Sequence, residues 1–446
     1  MHSQERPLTD VERAAWLIDQ VSPLKFVTVA HVAGDLSAAA LRRALDAVQA
    51  RHPLLRVGIS PGPPPCYRWT ARPLALRVVP RVDADTWRAE VDREREAPMD
   101  VAGGPLVRVV LVRSPERSEI LATSHHVMSD GMTAITLTRD LLESAGRWLA
   151  GDEPGLAPLP PRPGLDDLLP RAVRGWRGLR RIVPHGLRQL RTLLRRPQKL
   201  AEERDVPLDR RRSRTRHVVF DPAFTAALHA RSKAERSTVH GALAAAALQA
   251  VQAHLRRGRD ARAPALLGCC TPVNLRPDLE PAMHDEIGLF VGPIVSFHAV
   301  AAAPDLWPLA REVRDAVHGA RADHGPATTL AAQCLLLPRR ATPRFAARLL
   351  YHPLFGAIAV TNLGSPAIAR RYGPLTLEQL HVCPTANPFG SLLSLAVTTV
   401  HGRMTVNFTY NEGVVAEATV DALVADVCAR LERGAAPPAG SPGEAA

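Results

Sequence analysis

A chain of 446 residues is about three times the usual single-domain length, so two domains are expected, each large enough to bury a core without disulfides or metals. Apolar residues make up 46% and charged residues 22%, which excludes global disorder; no apolar run reaches the roughly 18 residues that span a bilayer, and the polar start MHSQERPLTDVER lacks a signal-peptide core. The formal charge of +12 is local, with ten basic and no acidic residues between Arg171 and Lys199 and five arginines in RRRSRTR at 210–216; the rest holds 41 basic against 44 acidic residues, and with 4% aromatics no nucleic-acid partner is expected.

Thr9, with Glu12 three residues later, has the form of a capping box and opens a short helix through Val11, Ala14, Trp16 and Leu17. A strand follows over Lys25–Val32, ended by Gly34. Ser37 then caps a helix with Leu41, Leu45 and Val48 on one face, and Pro53 stops it. A rigid loop at Pro61–Pro65 precedes a helix over Ala84–Arg95 and strands over Leu106–Val112 and Ile120–Ser124. The second of these strands runs directly into His125-His126-Val127-Met128-Ser129-Asp130-Gly131, after which Ile135, Leu137, Leu141 and Leu142 fall at helical spacing. From about Gly151 to Arg216 the composition turns to Pro, Gly and Arg, as in a linker. The second half restarts with a strand at His217–Phe220, a helix after Ser237-Thr238 and a strand at Ala265–Cys270. It continues with Pro272-Val273-Asn274-Leu275-Arg276, a helix near Leu306–His318, strands around 356–361, 391–400 and 403–410, and a helix over Thr419–Arg433. The expected division is an N-terminal lobe at 1–150, a basic linker at 151–216, a C-terminal lobe at 217–433 and a disordered tail at 434–446. Strands and helices mix irregularly in both halves, which reads as α/β or α+β.

The segment HHVMSDG carries the chemistry. A neutral imidazole can take a proton from a hydroxyl, thiol or amine near pH 7. The aspartate is placed to hold the loop through a distant arginine, and the glycine admits a close approach that a Cβ would block. The same residues, taken alone, also fit two core histidines beside an ordinary turn; a metal site is disfavoured because no further ligand cluster exists. The six cysteines (Cys66, Cys269, Cys270, Cys334, Cys383, Cys428) show no CxxC or metal-ligand spacing and read as reduced thiols in a cytoplasmic protein. Cys269-Cys270 has no neighbouring histidine and reads as core rather than as a nucleophile.

His125-His126-Val127-Met128-Ser129-Asp130-Gly131 resembles the HHxxxDG signature of the condensation-domain and chloramphenicol-acetyltransferase-like acyltransferase superfamily. Leu36–Arg56, Gly104-Pro105-Leu106-Val107-Arg108, Pro272–Arg276 and Thr361-Asn362-Leu363-Gly364 resemble further segments of that family in order and spacing, over about residues 8 to 433. Among its members the chain looks most like polyketide-associated acyltransferases such as phthiocerol dimycocerosyl transferase. The resemblance implies two pseudo-equivalent α/β lobes in a V, with the motif at their junction and a channel that admits donor and acceptor from opposite faces. It implies that His126 is the general base, that His125 is structural, and that Asp130 pairs with Arg276 across the lobes. Gly131 keeps the site open and is a candidate oxyanion donor through its N–H, while Thr361 and Asn362 either line the channel or form a plain turn.

The function expected is acyl transfer from a coenzyme A or carrier-protein thioester to a small-molecule or lipid alcohol in secondary metabolism, with no cofactor beyond the thioester co-substrate. The alternatives are an amide-forming condensation enzyme, disfavoured by the absence of adenylation and carrier segments from the sequence, and a non-catalytic carrier-docking scaffold, disfavoured by the intact motif. In the basic stretch Val173, Trp176, Leu179, Val183, Leu187, Leu190 and Leu194 recur at three- and four-residue spacings among the arginines. This reads as an amphipathic helix broken at Pro184 and Gly186. Three roles fit it: a connector with its apolar face on the body, a peripheral contact with anionic membrane through 171–199, or a dock for an acidic carrier protein.

Overall fold

The motif strand Arg117–His125 is buried at every position after its first, as befits a central strand of a covered sheet. In the computed structural model, which describes residues 5–153, 155–207, 210–257, 263–303, 305–351, 356–386 and 391–437, it lies inside a six-stranded sheet. That sheet runs Arg371–Tyr372, Leu375–Pro384, Lys25–Ala33, Arg117–His125, Val107–Arg113, Ala75–Pro80, antiparallel except for its last pair. Helices Ala38–Arg51 and Gly131–Leu149 pack together over this lobe's core, and Thr86–Glu96 packs against strands Lys25–Ala33 and Arg117–His125. A second six-stranded sheet runs Val291–Val300, Ala265–Asn274, Ile358–Asn362, Leu393–Val400, Arg403–Glu412, Arg212–Phe220. Helices Val239–Leu255, Trp307–Ala322 and Glu417–Ala435 cover it. The fold is mixed α/β, in two lobes.

Local signals placed many elements correctly. Thr9 and Glu12 form the reciprocal capping box, and Ser37, Asp130 and Thr238 each accept a backbone N–H in the first turn of the helix they open. Strands Val57–Ser60, Cys66–Trp69, Ala75–Pro80 and Val291–Val300 and helices Pro222–Ala234, Gly325–Leu336 and Pro343–Tyr351 were not read from the sequence.

The lobes do not divide the chain where its composition changes. Leu375–Pro384, inside the expected C-terminal lobe of 217–433, crosses over and pairs along Lys25–Ala33, burying Leu375, Leu377 and Leu380 in the N-terminal core. The expected linker of 151–216 also gives up its end, because Arg212–Phe220 is an edge strand along Arg403–Glu412. Two of its arginines are paired: Arg214 reaches Asp92, Glu96 and Glu412, and Arg216 reaches Glu417 and Asp421. The helix Gly175–Leu194 runs unbroken through Pro184 and Gly186, a correction to the expected interruption. Proline removes one N–H···O bond to residue 180, and the turns on either side carry the helix across it. The last helix extends to Ala435, beyond the expected start of the tail at 434, and residues 438–446 lie outside the described residues.

Where the lobes meet, four rings form a seam. Trp87 stands 5.0 Å from His31, 4.6 Å from His217 and 5.0 Å from His381, centroid to centroid. The Oδ1 of Asn407 receives Nδ1 of His217 at 2.8 Å and Nδ1 of His381 at 3.0 Å. Burial lowers His217 to about 4 and holds His381 well below the ordinary histidine value. Both are neutral in the fold, whereas the unfolded chain takes up protons near pH 6.5. Stability is therefore complete above about pH 6.5 and is lost as pH falls toward about 4, where the unfolded state binds more protons. The melting temperature should be level above neutrality and drop through that window, with a shallower drop in His217→Phe/His381→Phe. An unchanged slope in the double variant would remove the seam from the account.

Candidate active site

The motif strand ends at His125 and the turn begins at His126, and the two histidines reach different environments. His125 points into the protein and is 1% exposed. Its Nδ1 accepts the Val127 N–H at 3.1 Å, which leaves the ring proton on Nε2, 3.2 Å from the Asp19 carboxylate. Burial works against the charge on Asp19, and the close approach of His125, the Leu24 N–H and the Lys25 charge together more than offset it, so that carboxyl lies below its usual range. The carbonyl of His125 accepts the Ser129 hydroxyl at 2.6 Å, closing the turn. His125 thus fixes the strand end and helix Asp10–Asp19 together.

Asp130 ends the turn and begins a helix. As N-cap of Gly131–Leu149 its Oδ1 accepts the Thr133 N–H at 2.9 Å and the Thr133 hydroxyl at 3.2 Å. Its Oδ2 accepts Nη1 of Arg276 at 2.7 Å and the Phe290 N–H at 2.9 Å. The two ions, 146 positions apart, each keep 3% of their side-chain exposure. Arg276 also donates to the carbonyl of Glu286 at 3.1 Å and lies over the Phe290 ring at 4.9 Å. Burial alone would raise the Asp130 carboxyl, but the Arg276 charge and hydrogen bond hold it below the usual range. Every acceptor site of Asp130 that matters to the loop is thus spent on structure.

His126 faces a cavity of about 300 Å³ between the lobes, lined mostly by apolar side chains including Ala14, Ile18, Val291, Leu289 and Leu330. Its backbone N–H donates to Leu24, and its ring stands edge-on to buried Phe26 at 5.4 Å. Burial lowers its pKa, and the Asp130 charge and the carbonyls of Ser129 and of His126 itself offset this only in part, so the imidazole is neutral at pH 7.

Gly131 lines the same cavity, and as the first helical residue its N–H has no acceptor within the helix. A Cβ there would fall 2.4 Å from Leu363 Cδ2. Thr361 lines the cavity; Asn362 is not among its lining residues and instead accepts the Gly364 N–H at 2.9 Å, with Gly364 in the left-handed region at φ 68. Cys270 and Cys334 also reach the wall, but burial raises both thiols far above the usual range, and among the described residues no three His, Cys, Asp or Glu side chains are placed to hold a metal ion.

Two features were not legible. Lys25, one of three lysines in the chain, lines the cavity while its Nζ donates to the Ala97 carbonyl at 2.5 Å. Burial, then repulsion from Arg108, brings it down to about 8. A second cavity of about 240 Å³, lined by His52, Tyr67 and Phe290 among others, shares Leu289 with the first. Both depend on pairings made far along the chain.

Two family models match the chain, the condensation domain over residues 3–168 and the phthiocerol/phthiodiolone dimycocerosyl transferase C-terminus over residues 209–409. Over these two stretches the chain is similar to proteins of the condensation-domain superfamily. The chain is 29% identical to the nonribosomal peptide synthetase CymA of Salinispora arenicola over 330 residues, 70% of this chain and 4% of that protein. It spans only 2 to 15% of the length of the peptide synthetases it matches. Among solved folds, trichothecene 15-O-acetyltransferase TRI3 of Fusarium sporotrichioides superimposes with a TM-score of 0.76 at 13% identity, covering 96% of this chain and 95% of that one. Polyketide synthase associated protein 5 of Mycobacterium tuberculosis does so with a TM-score of 0.67 at 16% identity, covering 96% and 98%. At these identities the likeness is one of fold.

Removing one member of a buried ion pair leaves the other charge unpaired, at a cost of about 3–5 kcal/mol. Asp130→Ala and Arg276→Ala should each lower stability by that order in urea denaturation. The double variant should lose clearly less than the sum. Full additivity would show the two side chains to be energetically independent.

Proposed function

We propose that the protein is an acyltransferase that moves an apolar acyl group from a coenzyme A or carrier-protein thioester to an alcohol, with His126 as general base. One observation carries this reading: a neutral imidazole on the wall of an apolar cavity between the lobes, while the nearby carboxylate is fully engaged by Arg276. The acceptor hydroxyl gives its proton to His126 as its oxygen attacks the thioester carbonyl. The tetrahedral adduct collapses to the ester, and the departing thiolate takes the proton back from His126. Gly131 N–H is the donor best placed for the developing oxyanion, at the positive end of its helix. The two cavities that share Leu289 offer separate approaches for donor and acceptor. Lys25 adds a cation at one wall.

Amide formation is a second reading, favoured by the likeness to peptide synthetases. An amine acceptor would use the same base. Incubation with a panel of thioesters, each with alcohols and amines, and intact-mass detection of products separates the two; a product of neither kind from any pair would count against acyl transfer.

His126→Ala should slow transfer by about 100-fold or more while the melting temperature holds. Equal rates in variant and wild type, with the preferred substrate pair, would refute the assignment. Protonation abolishes the base, and burial places that protonation below the ordinary histidine value. The acid limb of kcat/KM should therefore have its midpoint below about pH 6.5. A midpoint above 7 would mean that another group is titrating.

A further inference from the structure

The helix Gly175–Leu194 presents three distinct faces. Its half-buried side, with Ile182, His185 and Thr192, lies against the body, where His185 contacts the Thr329 hydroxyl at 3.1 Å. Trp176, Leu179, Val183, Leu187, Leu190 and Leu194 are all exposed, Trp176 to 72% and Leu194 to 74%. At about 100° per residue these six fall in one stripe roughly 80° wide and about 27 Å long. Arg177, Arg180, Arg181, Arg188 and Arg191 lie along one edge of that stripe, between it and the body. The apolar face that a connector would rest on the body is thus turned to the outside, and the packing is done by a third face. The neighbouring helix Gly325–Leu336 also ends on two exposed leucines, Leu335 and Leu336, while its Leu330, Gln333 and Cys334 line the cavity that holds His126.

We infer that this helix docks the protein on an anionic lipid surface, with the apolar stripe in the headgroup–acyl boundary and the arginines on the phosphates. A surface helix normally turns its apolar stripe to the core, and one turned outward beside a row of cations matches the form of an interfacial helix. Ten basic and no acidic residues between positions 171 and 199 suit a negative surface. A second copy of the chain is a poor occupant, since facing stripes would bring the arginine rows together. An acidic protein would satisfy the arginines and still leave six apolar side chains to cover, whereas a bilayer boundary accommodates both. The placement rests on no particular reaction. Because the helix beside it also lines the His126 cavity, docking would bring that cavity close to the membrane.

The test is co-sedimentation of the full chain with phosphatidylcholine vesicles made with or without phosphatidylglycerol. Wild type should bind the anionic vesicles, weakly at high salt, and should bind pure phosphatidylcholine little. Two variants separate the contributions. Trp176→Ser/Leu187→Ser/Leu190→Ser removes apolar contact, and Arg177→Gln/Arg180→Gln/Arg188→Gln/Arg191→Gln removes charge; each should weaken binding by about tenfold or more. All seven positions are exposed, so the melting temperature should hold in both. Vesicle binding equal to wild type in the serine variant would overturn the proposal. So would wild type that ignores anionic vesicles and instead forms a dimer, or binds an acidic acyl carrier protein, through the same residues.

Discussion

A carboxylate with four acceptor sites organises this molecule. Asp130 caps the helix that follows the motif with one oxygen and takes Arg276 and the Phe290 N–H with the other. Through the first it sets the direction in which the turn 125–130 meets its helix. Through the second it pins the segment 286–290 of the other lobe against that turn. Two charges withdrawn from water in this way gain little net stability over an apolar contact, but either one alone would be strongly unfavourable. The pair therefore acts as a registration device: the lobes close in the arrangement that brings these side chains together.

The site follows from that registration. His126 is held from three directions, by the Leu24 carbonyl at its N–H, by Phe26 at its ring, and by the turn that His125 and Ser129 close. Leu363, at the tip of the Asn362–Gly364 turn, rests against Gly131 and carries a loop of the second lobe onto the start of the motif helix. The cavity between them is walled by both lobes and by helix Asp10–Asp19, and its lining is largely apolar, which suits the acyl chain proposed for it. Nothing in this arrangement asks Asp130 to move a proton. Its two oxygens are taken by Thr133, Arg276 and the Phe290 N–H.

What could be read in the sequence was what is encoded locally. Thr9 with Glu12, Ser37 and Thr238 announce helix starts within four residues, and HHVMSDG gathers histidines and carboxylate on one turn. Arg276 was legible only through resemblance, since nothing in its own neighbourhood points 146 positions back. Leu375–Pro384 was missed because a bulge between Leu377 and Gln379 breaks its alternation, and because its partner strand is Lys25–Ala33, at the far end of the chain. Arg214 and Arg216 imitated a linker, since the acidic residues that neutralise them sit on other elements. Lys25 looked like an ordinary strand residue until pairing placed it opposite His125. Local codes were readable; long-range pairings were not.

If Asp130 acts only by fixing geometry through Arg276, its charge is dispensable once that of Arg276 is removed too. The direct measurement is the acyl-transfer rate of Asp130→Asn, Arg276→Met and the doubly neutral protein, with one substrate pair. Each single variant leaves a buried charge or an unanswered donor and should be slow. The double variant should recover a substantial part of the wild-type rate. A double variant as slow as Asp130→Asn would place the carboxylate in the proton path and contradict the account.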